Sequence, residues 1–382
     1  MTEAHIKALS FLCFILIGIA LKKKFSSKDE VNGLKKIILL LALPATIFIA
    51  LLQVKINTHL LLLPLIALAF NGILYGITPT LLNITGIHDT SIRNTAKLLL
   101  PSLAPGLSCF PFILEFLGSP YLAKAAMADL GNKFFVLFIL YILAISWYYK
   151  NQNTKPEPIK TKLKSLAKVM LFEPVNIFIL VALICVGFGI TMTNLPGFIQ
   201  LNLSRLSNIM TPLILLFIGL AVVIKKKQIA QIFTLLMLKY GVTLLLIGTI
   251  ISVVDIKVPQ DILLLLAFGL SACSFWPFAH ISSIAAKEVD VEEVQKTFHV
   301  DFALSILALS LPLAVLYILG ILTAGTTFTH ASNIFLLGSI TLGVGLIFPI
   351  YQNIKRYKTA ETETYKTNWF EHAFQVMIHI FK

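Results

Sequence analysis

The chain has 382 residues, of which 57% are hydrophobic and only 13% are charged, and its mean hydropathy is +0.88. This composition excludes an ordinary soluble globular domain and is typical of a polytopic membrane protein. The formal net charge of +13 does not indicate a nucleic-acid partner, because the basic residues stand in short loops beside apolar segments.

Eleven apolar stretches are long enough to cross a bilayer as helices, which takes about 20 residues. The N-terminus has neither a basic region before the first stretch nor a small-residue cleavage site, so we predict a retained first helix. The four cysteines lie within apolar runs and are predicted to pack in the core; no metal site and no cofactor are predicted. The predicted segments lie near 5–21, 34–53, 58–84, 95–118, 123–148, 171–192, 203–224, 228–253, 260–284, 297–321 and 332–352.

The loops between these segments alternate between basic and nearly neutral. Because basic loops stay in the cytoplasm, we predict a multi-pass protein of the cell inner (cytoplasmic) membrane, with the N-terminus outside and the C-terminus inside. The basic loops contain Lys22, Lys23, Lys24, Arg93, Lys97, Lys150, Lys155, Lys160, Lys162, Lys164, Lys168, Lys225, Lys226, Lys227, Lys287, Lys296, Lys355, Arg356 and Lys358.

Two distant stretches, 108–113 and 274–279, have similar sequences built around Pro111 and Pro277. Pro44 in the second segment and Pro212 in the seventh are separated by about the same number of residues as Pro111 and Pro277. These matched pairs indicate a duplicated five-segment unit, and because five is odd the second copy enters the membrane from the opposite side. We therefore predict an all-α fold with an inverted repeat of five plus five helices. Chance similarity is the alternative, because membrane helices are relatively rich in proline.

In this plan residues 1–148 form the first repeat, 149–170 a cytoplasmic loop and 171–321 the second, inverted repeat. An additional eleventh helix at 332–352 lies outside the repeat. The tail at 365–382 is predicted to be a cytoplasmic interfacial helix, with a disordered tail or one packed on a partner as alternatives. Its apolar residues recur at helical spacing at Trp369, Phe370, Ala373, Phe374, Met377, Ile378 and Phe381.

The fourth and ninth segments are predicted to be broken helices. Proline removes a backbone donor and obstructs the preceding turn, and in hydrocarbon such a break is tolerated only where it is buried or lines a cavity. We expect helices that restart at Phe112 and Phe278 and point partly positive N-termini at a shared anion site. The breaking residues are Pro101, Pro105, Gly106 and Pro111 in the fourth segment and Gly269 and Pro277 in the ninth.

The breaks also define candidate substrate-binding residues. The serine hydroxyls could contact a substrate or could instead bond a freed carbonyl. His280 could contact the substrate, handle a proton or be a satisfied buried histidine. The candidates at the breaks are Ser108, Pro111, Phe112, Ser274, Pro277, Phe278 and His280.

Ionisable side chains at membrane depth are further candidates, because a charge there is expensive. Lys239, near the middle of the eighth segment, is predicted either to pair with a carboxylate or to help hold an anionic substrate. Asp129 and Lys133 stand four residues apart on one helical face and can neutralise each other. Asp129, His280 and Glu115 are the candidate coupling or proton sites, although Glu115 could simply face water.

Two asparagines complete the set of candidates. Asn132, beside Asp129, is a candidate substrate-binding residue. Asn71 in the third segment is predicted to form a hydrogen bond between helices.

Several motifs recur in a familiar order along residues 5–321: Leu43-Pro44-Ala45, Pro111 followed by Gly118, Asp129-Leu130-Gly131-Asn132, Pro174, Pro212 with Gly219-Leu220, and Pro277. With these motifs the chain resembles the auxin efflux carrier family of bacterial and plant permeases, relatives of the bile-acid/sodium symporters. This resemblance implies ten helices in inverted halves, fourth and ninth helices that cross at unwound prolines, and an elevator-like movement of that crossing. It also implies organic anions such as carboxylates as substrates.

The sequence thus predicts a secondary transporter of a small organic anion, driven by a proton or sodium gradient or by none. A passive facilitator or channel and a transporter-like ligand sensor are the alternatives. An enzyme is not predicted, because no acid–base or metal cluster stands near one interface. The eleventh segment could serve an oligomer interface such as that of a homodimer.

Overall fold

The structure, a computed structural model, describes residues 2–25, 27–54, 57–153, 160–221, 229–292 and 295–351, and this part of the chain contains helices and turns but no strand. Eight of its helices are long and apolar enough to cross a membrane. This confirms the prediction of an all-α polytopic membrane protein. The eight helices are Glu3–Leu21, Asp29–Leu52, Thr58–Ile84, Ser119–Gln152, Gly197–Ala221, Ile229–Val254, Val300–Thr329 and Ala331–Tyr351.

These helices are the first, second, third, fifth, seventh, eighth, tenth and eleventh of the predicted segments, and we keep that numbering. The predicted interfacial helix at 365–382 lies outside the described residues, as do Lys155, Lys225 to Lys227 and Lys355 to Lys358.

The other three segments consist of shorter helices. The sixth segment follows a helix that the sequence did not predict, and the two are bent by 60°. That extra helix occupies much of the predicted loop at 149–170. The short helices are Thr90–Leu99, Pro105–Ser108 and Phe110–Leu117 in the fourth segment, Lys160–Phe172 and Pro174–Gly187 around the sixth, and Pro259–Gly269 and Phe275–Ala285 in the ninth.

The bend before the sixth segment leaves Glu173 half-buried between two helices. Pro174 is the first residue of its helix, where the absent N–H is not needed. The residue before a proline favours extended backbone, and Glu173 has φ −64° and ψ 128°. The carboxylate of Glu173 therefore stands at a corner between two helices.

The helices pack in two groups that meet at the second and fifth segments. The first, second, sixth and seventh pack mainly on one another, while the third, fifth, eighth and tenth surround the broken segments. Glycines permit the closest approaches: a Cβ at Gly18 would lie 2.4 Å from the Leu216 carbonyl oxygen, and one at Gly131 would lie 1.7 Å from that of Pro64. Small residues allow such backbone contact between membrane helices.

Pro44 does not break the second segment. It lies just after a wider helical turn at Ile38–Ala42, in which the Leu43 N–H donates to the Ile38 carbonyl five residues earlier. Pro212 likewise lies in the first turn of Met210–Ala221. Pro44 therefore lies inside a continuous helix whose wider turn accommodates the missing N–H, and Pro212 follows a one-residue interruption at Ile209.

The eleventh helix packs against its own chain. A Cβ at Gly241 in the eighth segment would lie 2.6 Å from Leu342, and the Tyr317 hydroxyl donates to Thr341 at 3.0 Å. Its opposite face, with Leu336 and Ile347, is exposed. An oligomer interface on that face stays a prediction.

Candidate functional site

The backbone unwinds at two places, each five residues long. In the fourth segment residues 100–104 are non-helical, and in the ninth residues 270–274 are non-helical. We call these the first and second unwound stretches. Pro105 opens the short helix that follows the first, and Ser274 caps the helix after the second by accepting from the Trp276 N–H at 3.3 Å. The broken fourth and ninth segments expected from the sequence are therefore present.

The two unwound stretches touch and satisfy each other's backbone groups. The Ala104 N–H donates to the Ala272 carbonyl at 2.8 Å, and the Ser274 N–H donates to the Ser102 hydroxyl at 3.0 Å. The Ala272 N–H donates to the Ser108 hydroxyl, also at 3.0 Å. Buried backbone polar groups require such partners. The crossing is thus a hydrogen-bonded unit.

The predicted restart points were wrong in detail. The helices restart at Phe110 and Phe275, and Pro111 and Pro277 lie within their first turns. Proline fits there because the first N–H groups of a helix have no intrahelical partner. The similar stretches 108–113 and 274–279 also lie at different distances from the unwound stretches. The stretch 274–279 begins at the last residue of the second unwound stretch, whereas a short helix separates the first unwound stretch from residue 109.

A cavity of about 170 Å³ lies beside the crossing. Both broken segments contribute the residues that open their restarted helices, and the second, fifth and sixth segments complete the walls. Of the sequence candidates, Asp129, Asn132 and Ser274 line it. The lining residues are Lys35, Leu39, Leu43, Leu103, Ala104, Pro105, Gly106, Leu107, Asp129, Asn132, Lys133, Glu173, Val175, Ser274, Phe275 and Trp276.

Asn132 joins the first unwound stretch to two intact helices. Its amide nitrogen donates to the Leu103 carbonyl at 2.9 Å and to Asp129 at 2.8 Å. Its amide oxygen accepts from Asn71 at 2.8 Å and from the Leu103 N–H at 3.3 Å. The predicted interhelical hydrogen bond of Asn71 is confirmed. Asn132 shapes one wall of the cavity with its hydrogen bonds already occupied.

Lys133 forms ion pairs with two carboxylates on the cavity wall. Its ammonium lies 3.1 Å from Glu173 and 3.6 Å from Asp129, and it also donates to the Asn176 amide oxygen at 3.0 Å. The predicted Asp129–Lys133 pair is confirmed, but the nearer partner, Glu173, was not predicted. One cation is therefore shared by two anions.

Lys35 is a second charged cavity residue that the sequence analysis did not predict. Its ammonium lies 4.4 Å from the centre of the Phe275 ring, and within the described ranges no carboxylate lies within 4.0 Å of it. A cation over an aromatic face is a weak interaction, worth roughly 0.5–2 kcal/mol. Lys35 therefore brings to the cavity a positive charge that no carboxylate of the described residues balances by a direct ion pair.

Several sequence candidates lie away from the cavity. Phe112 packs on Phe11, with ring centres 5.4 Å apart. Phe278 packs on Phe275 with ring centres 5.2 Å apart. The Ser108 hydroxyl donates to the Ala104 carbonyl at 2.8 Å, which is the local bonding that we weighed for it. Glu115 lies near the end of Phe110–Leu117, where the Lys7 ammonium bonds its main-chain carbonyl.

His280 is a buried histidine, and one of its two ring nitrogens has a hydrogen bond to the main chain. It lies in the second turn of Phe275–Ala285, not in the first, and its Nε2 donates to the Val136 carbonyl at 2.9 Å. That carbonyl belongs to a wider helical turn at Phe135–Ile139. His280 thus ties the ninth segment to the fifth.

The carboxylate partner predicted for Lys239 is not found among the described residues. Its ammonium lies 3.4 Å from the Ser271 carbonyl oxygen and 3.5 Å from the Cys273 sulfur, in the second unwound stretch. No carboxylate of the described residues lies within 4.0 Å of it, and it is not on the cavity wall.

A comparison of the chain with models of known protein families gives no match, and a comparison with curated proteins gives none.

Proposed function

We propose that the protein is a secondary transporter of a small organic anion, most simply a carboxylate, in the cytoplasmic membrane. The observation that carries this proposal is the cavity at the crossing of the two unwound stretches. Transporters commonly bind their substrates where interrupted helices meet near the bilayer midplane. The resemblance to the auxin efflux carrier family and the inverted-repeat plan, with its outside N-terminus, form part of the same proposal.

The charges around the cavity favour an anion. The helix Phe275–Ala285 contributes its first residues, Phe275 and Trp276, and the N-terminus of a helix carries partial positive charge. Lys35 adds a full charge that has no direct ion pair within the part of the chain that the structure describes. A carboxylate could therefore accept from the Lys35 ammonium, in a charge-assisted hydrogen bond.

The size and walls of the cavity favour a small, partly apolar acid. Its volume of about 170 Å³ is below the roughly 300–1,000 Å³ of pockets for drug-sized ligands. Leu39, Leu43, Leu107, Val175 and Trp276 provide an apolar surface for the body of the ligand. A monocarboxylate between acetate and benzoate in size matches these properties.

The position of the cavity supports an elevator-like mechanism. The second and sixth segments contribute some of its lining residues, and the fifth and the broken segments contribute the others. The cavity therefore lies between the two groups of helices, where one group could slide past the other and carry the bound anion across the membrane.

For coupling we propose a proton carried by Asp129. Two carboxylates, Asp129 and Glu173, share the Lys133 ammonium, so the protonation of one leaves an intact ion pair with the other. Like charges at one site disfavour simultaneous ionisation. Uptake of an anion could then accompany uptake of a proton.

The test is uptake of radiolabelled acetate and benzoate by proteoliposomes that contain the full chain, with and without imposed pH or sodium gradients. We expect saturable uptake that responds to the pH gradient, and loss of that response in Asp129→Asn but not in Glu115→Gln. Uptake without any gradient response would indicate a facilitator. Binding without flux would indicate a sensor.

A further inference from the structure

Lys239 is a buried cation that the anion cavity does not use. Its side chain is fully enclosed, with 2% of the residue exposed. Within the described residues its ammonium has three neighbours: the Ser271 carbonyl, the Cys273 sulfur and the Tyr240 ring, whose centre is 5.5 Å away. An ionisable residue in the middle of a membrane helix is expensive, and its partner points to its role.

The partner of Lys239 is unwound backbone. Ser271 belongs to the second unwound stretch, where carbonyls are not all used by helical hydrogen bonds. In transporters with discontinuous helices, carbonyls freed in this way coordinate sodium or other coupling cations. Here an ammonium on the eighth segment contacts such a carbonyl.

A second observation marks the same place as polar and incompletely satisfied. Thr243 lies one turn after Lys239 on the same helix and packs against Gly269, directly before the second unwound stretch. Its hydroxyl is fully buried and has no hydrogen-bond partner among the described residues. A threonine in a membrane helix usually bonds the carbonyl four residues earlier, so this oxygen is free to accept from a donor or a cation.

We propose that the Lys239 ammonium is a built-in substitute for a monovalent cation at the second unwound stretch. It holds this stretch in its crossing geometry, so the native protein needs no sodium ion there. Truncation of the side chain opens a small space beside the Ser271 carbonyl and the Cys273 sulfur, with the Thr243 hydroxyl one turn along the same helix. A small cation can enter this space and take the carbonyl and hydroxyl oxygens as ligands, because hard cations prefer oxygen. This inference goes beyond the proposed function and holds whichever solute the cavity binds.

The experiment is thermal unfolding of the purified full-length protein in detergent, in sodium chloride, methylammonium chloride or N-methylglucamine chloride at equal ionic strength. We expect the native protein to have the same Tm in all three salts. Lys239→Ala should lose about 5–10 °C in N-methylglucamine and regain part of it as sodium or methylammonium is added, because a ligand that binds only the folded state stabilises it.

Two further variants separate the charge from the space that the side chain fills. Lys239→Met fills the site without a charge, so it should be destabilised and gain nothing from either cation. Lys35→Ala removes a lysine elsewhere and should show no cation rescue. The measurement on the native protein does not depend on whether any variant folds. Stabilisation of the native protein by sodium would overturn the proposal. Absence of cation rescue in Lys239→Ala would also overturn it, as would a Lys239→Met variant as stable as the native protein.

These outcomes are independent of carboxylate uptake. A protein that fails to transport acetate or benzoate but shows cation rescue in Lys239→Ala would refute the proposed function and keep this inference. A protein that transports acetate or benzoate but shows no cation rescue in Lys239→Ala would support the proposed function and refute this inference.

Discussion

The first and second unwound stretches have the same length and bond to each other, yet different chemistry holds each in place. The first is held by side-chain amides, because Asn132 bonds both the N–H and the carbonyl of Leu103. The second is held by hydroxyls and an ammonium, from Ser102, Ser310 and Lys239. A fold can thus place two breaks together without repeating the residues that stabilise them.

The difference also separates two tasks. Asn132, which holds the first stretch, also bonds Asp129, and Lys133 links Asp129 to Glu173 on the cavity wall. Lys239, in contrast, is not part of that wall. We therefore expect the first stretch to be tied to solute binding and coupling, and the second to be tied to the integrity of the crossing.

The largest expected effect comes from removal of the amide that holds the first stretch. Asn132→Ala would leave the Leu103 N–H and carbonyl and the Asn71 amide without this partner in a buried site. Each unpartnered buried group costs about 1–3 kcal/mol, so we expect a loss of roughly 3–5 kcal/mol, measured by thermal unfolding in detergent. Asn202→Ala, at an exposed position, is the matched control; equal stability of the two variants would show that the amide network is dispensable.

The second largest effect concerns the contact that brings Asn132 to Asn71. Gly131→Ala places a methyl group against the Pro64 carbonyl, so the third and fifth helices must separate. Overpacking of this kind costs about 1–3 kcal/mol. The control is Gly76→Ala on the third helix, since nothing lies within 4 Å of a Cβ there. A Gly131→Ala protein with the Tm of the control would mean that the helices are not closely packed.

A smaller effect should follow from the loss of one hydroxyl between the stretches. Ser102→Ala leaves the buried Ser274 N–H without its acceptor, and we expect a loss of about 1–2 kcal/mol in the same unfolding measurement. The control is Ser305→Ala, because Ser305 is half-buried and its hydroxyl bonds only the Asp301 carbonyl of its own helix in the described structure. A loss no greater than that of the control would contradict a hydrogen-bonded crossing.

His280→Ala should affect stability only, by about 1 kcal/mol, because its ring bonds the Val136 carbonyl and does not line the cavity. We expect the Kd for benzoate, measured by calorimetry on the purified protein, to stay within about twofold of the native value, since no cavity contact is lost. A tenfold higher Kd in His280→Ala would indicate that His280 contacts the substrate.

Much of the fold could be predicted from the sequence, because its strongest signals are local. Apolar length identified the eight long helices, and the clustering of Pro101, Pro105 and Gly106 identified a broken segment. The four-residue spacing of Asp129 and Lys133 identified their ion pair. The restart points were misplaced because Pro111 and Pro277 mark first turns of helices, which tolerate proline, and not the breaks themselves.

The cavity wall was harder to predict because long-range packing builds it. Lys35 stands beside Lys36 near the start of a helix, and in the sequence such a pair is typical of a cytoplasmic flank. Glu173 reaches Lys133 only because of an unpredicted 60° bend before Pro174. No local pattern encodes either contact.

The most direct test of an anion site at the crossing compares two neighbouring lysines. Lys35 lines the cavity, whereas Lys36 is exposed. We predict that Lys35→Met raises the Kd for benzoate about tenfold or more, because a hydrogen bond to a charged group contributes about 1.5–3 kcal/mol, while Lys36→Met leaves it unchanged. Equal Kd values for both variants and the native protein would contradict an anion site at this cavity.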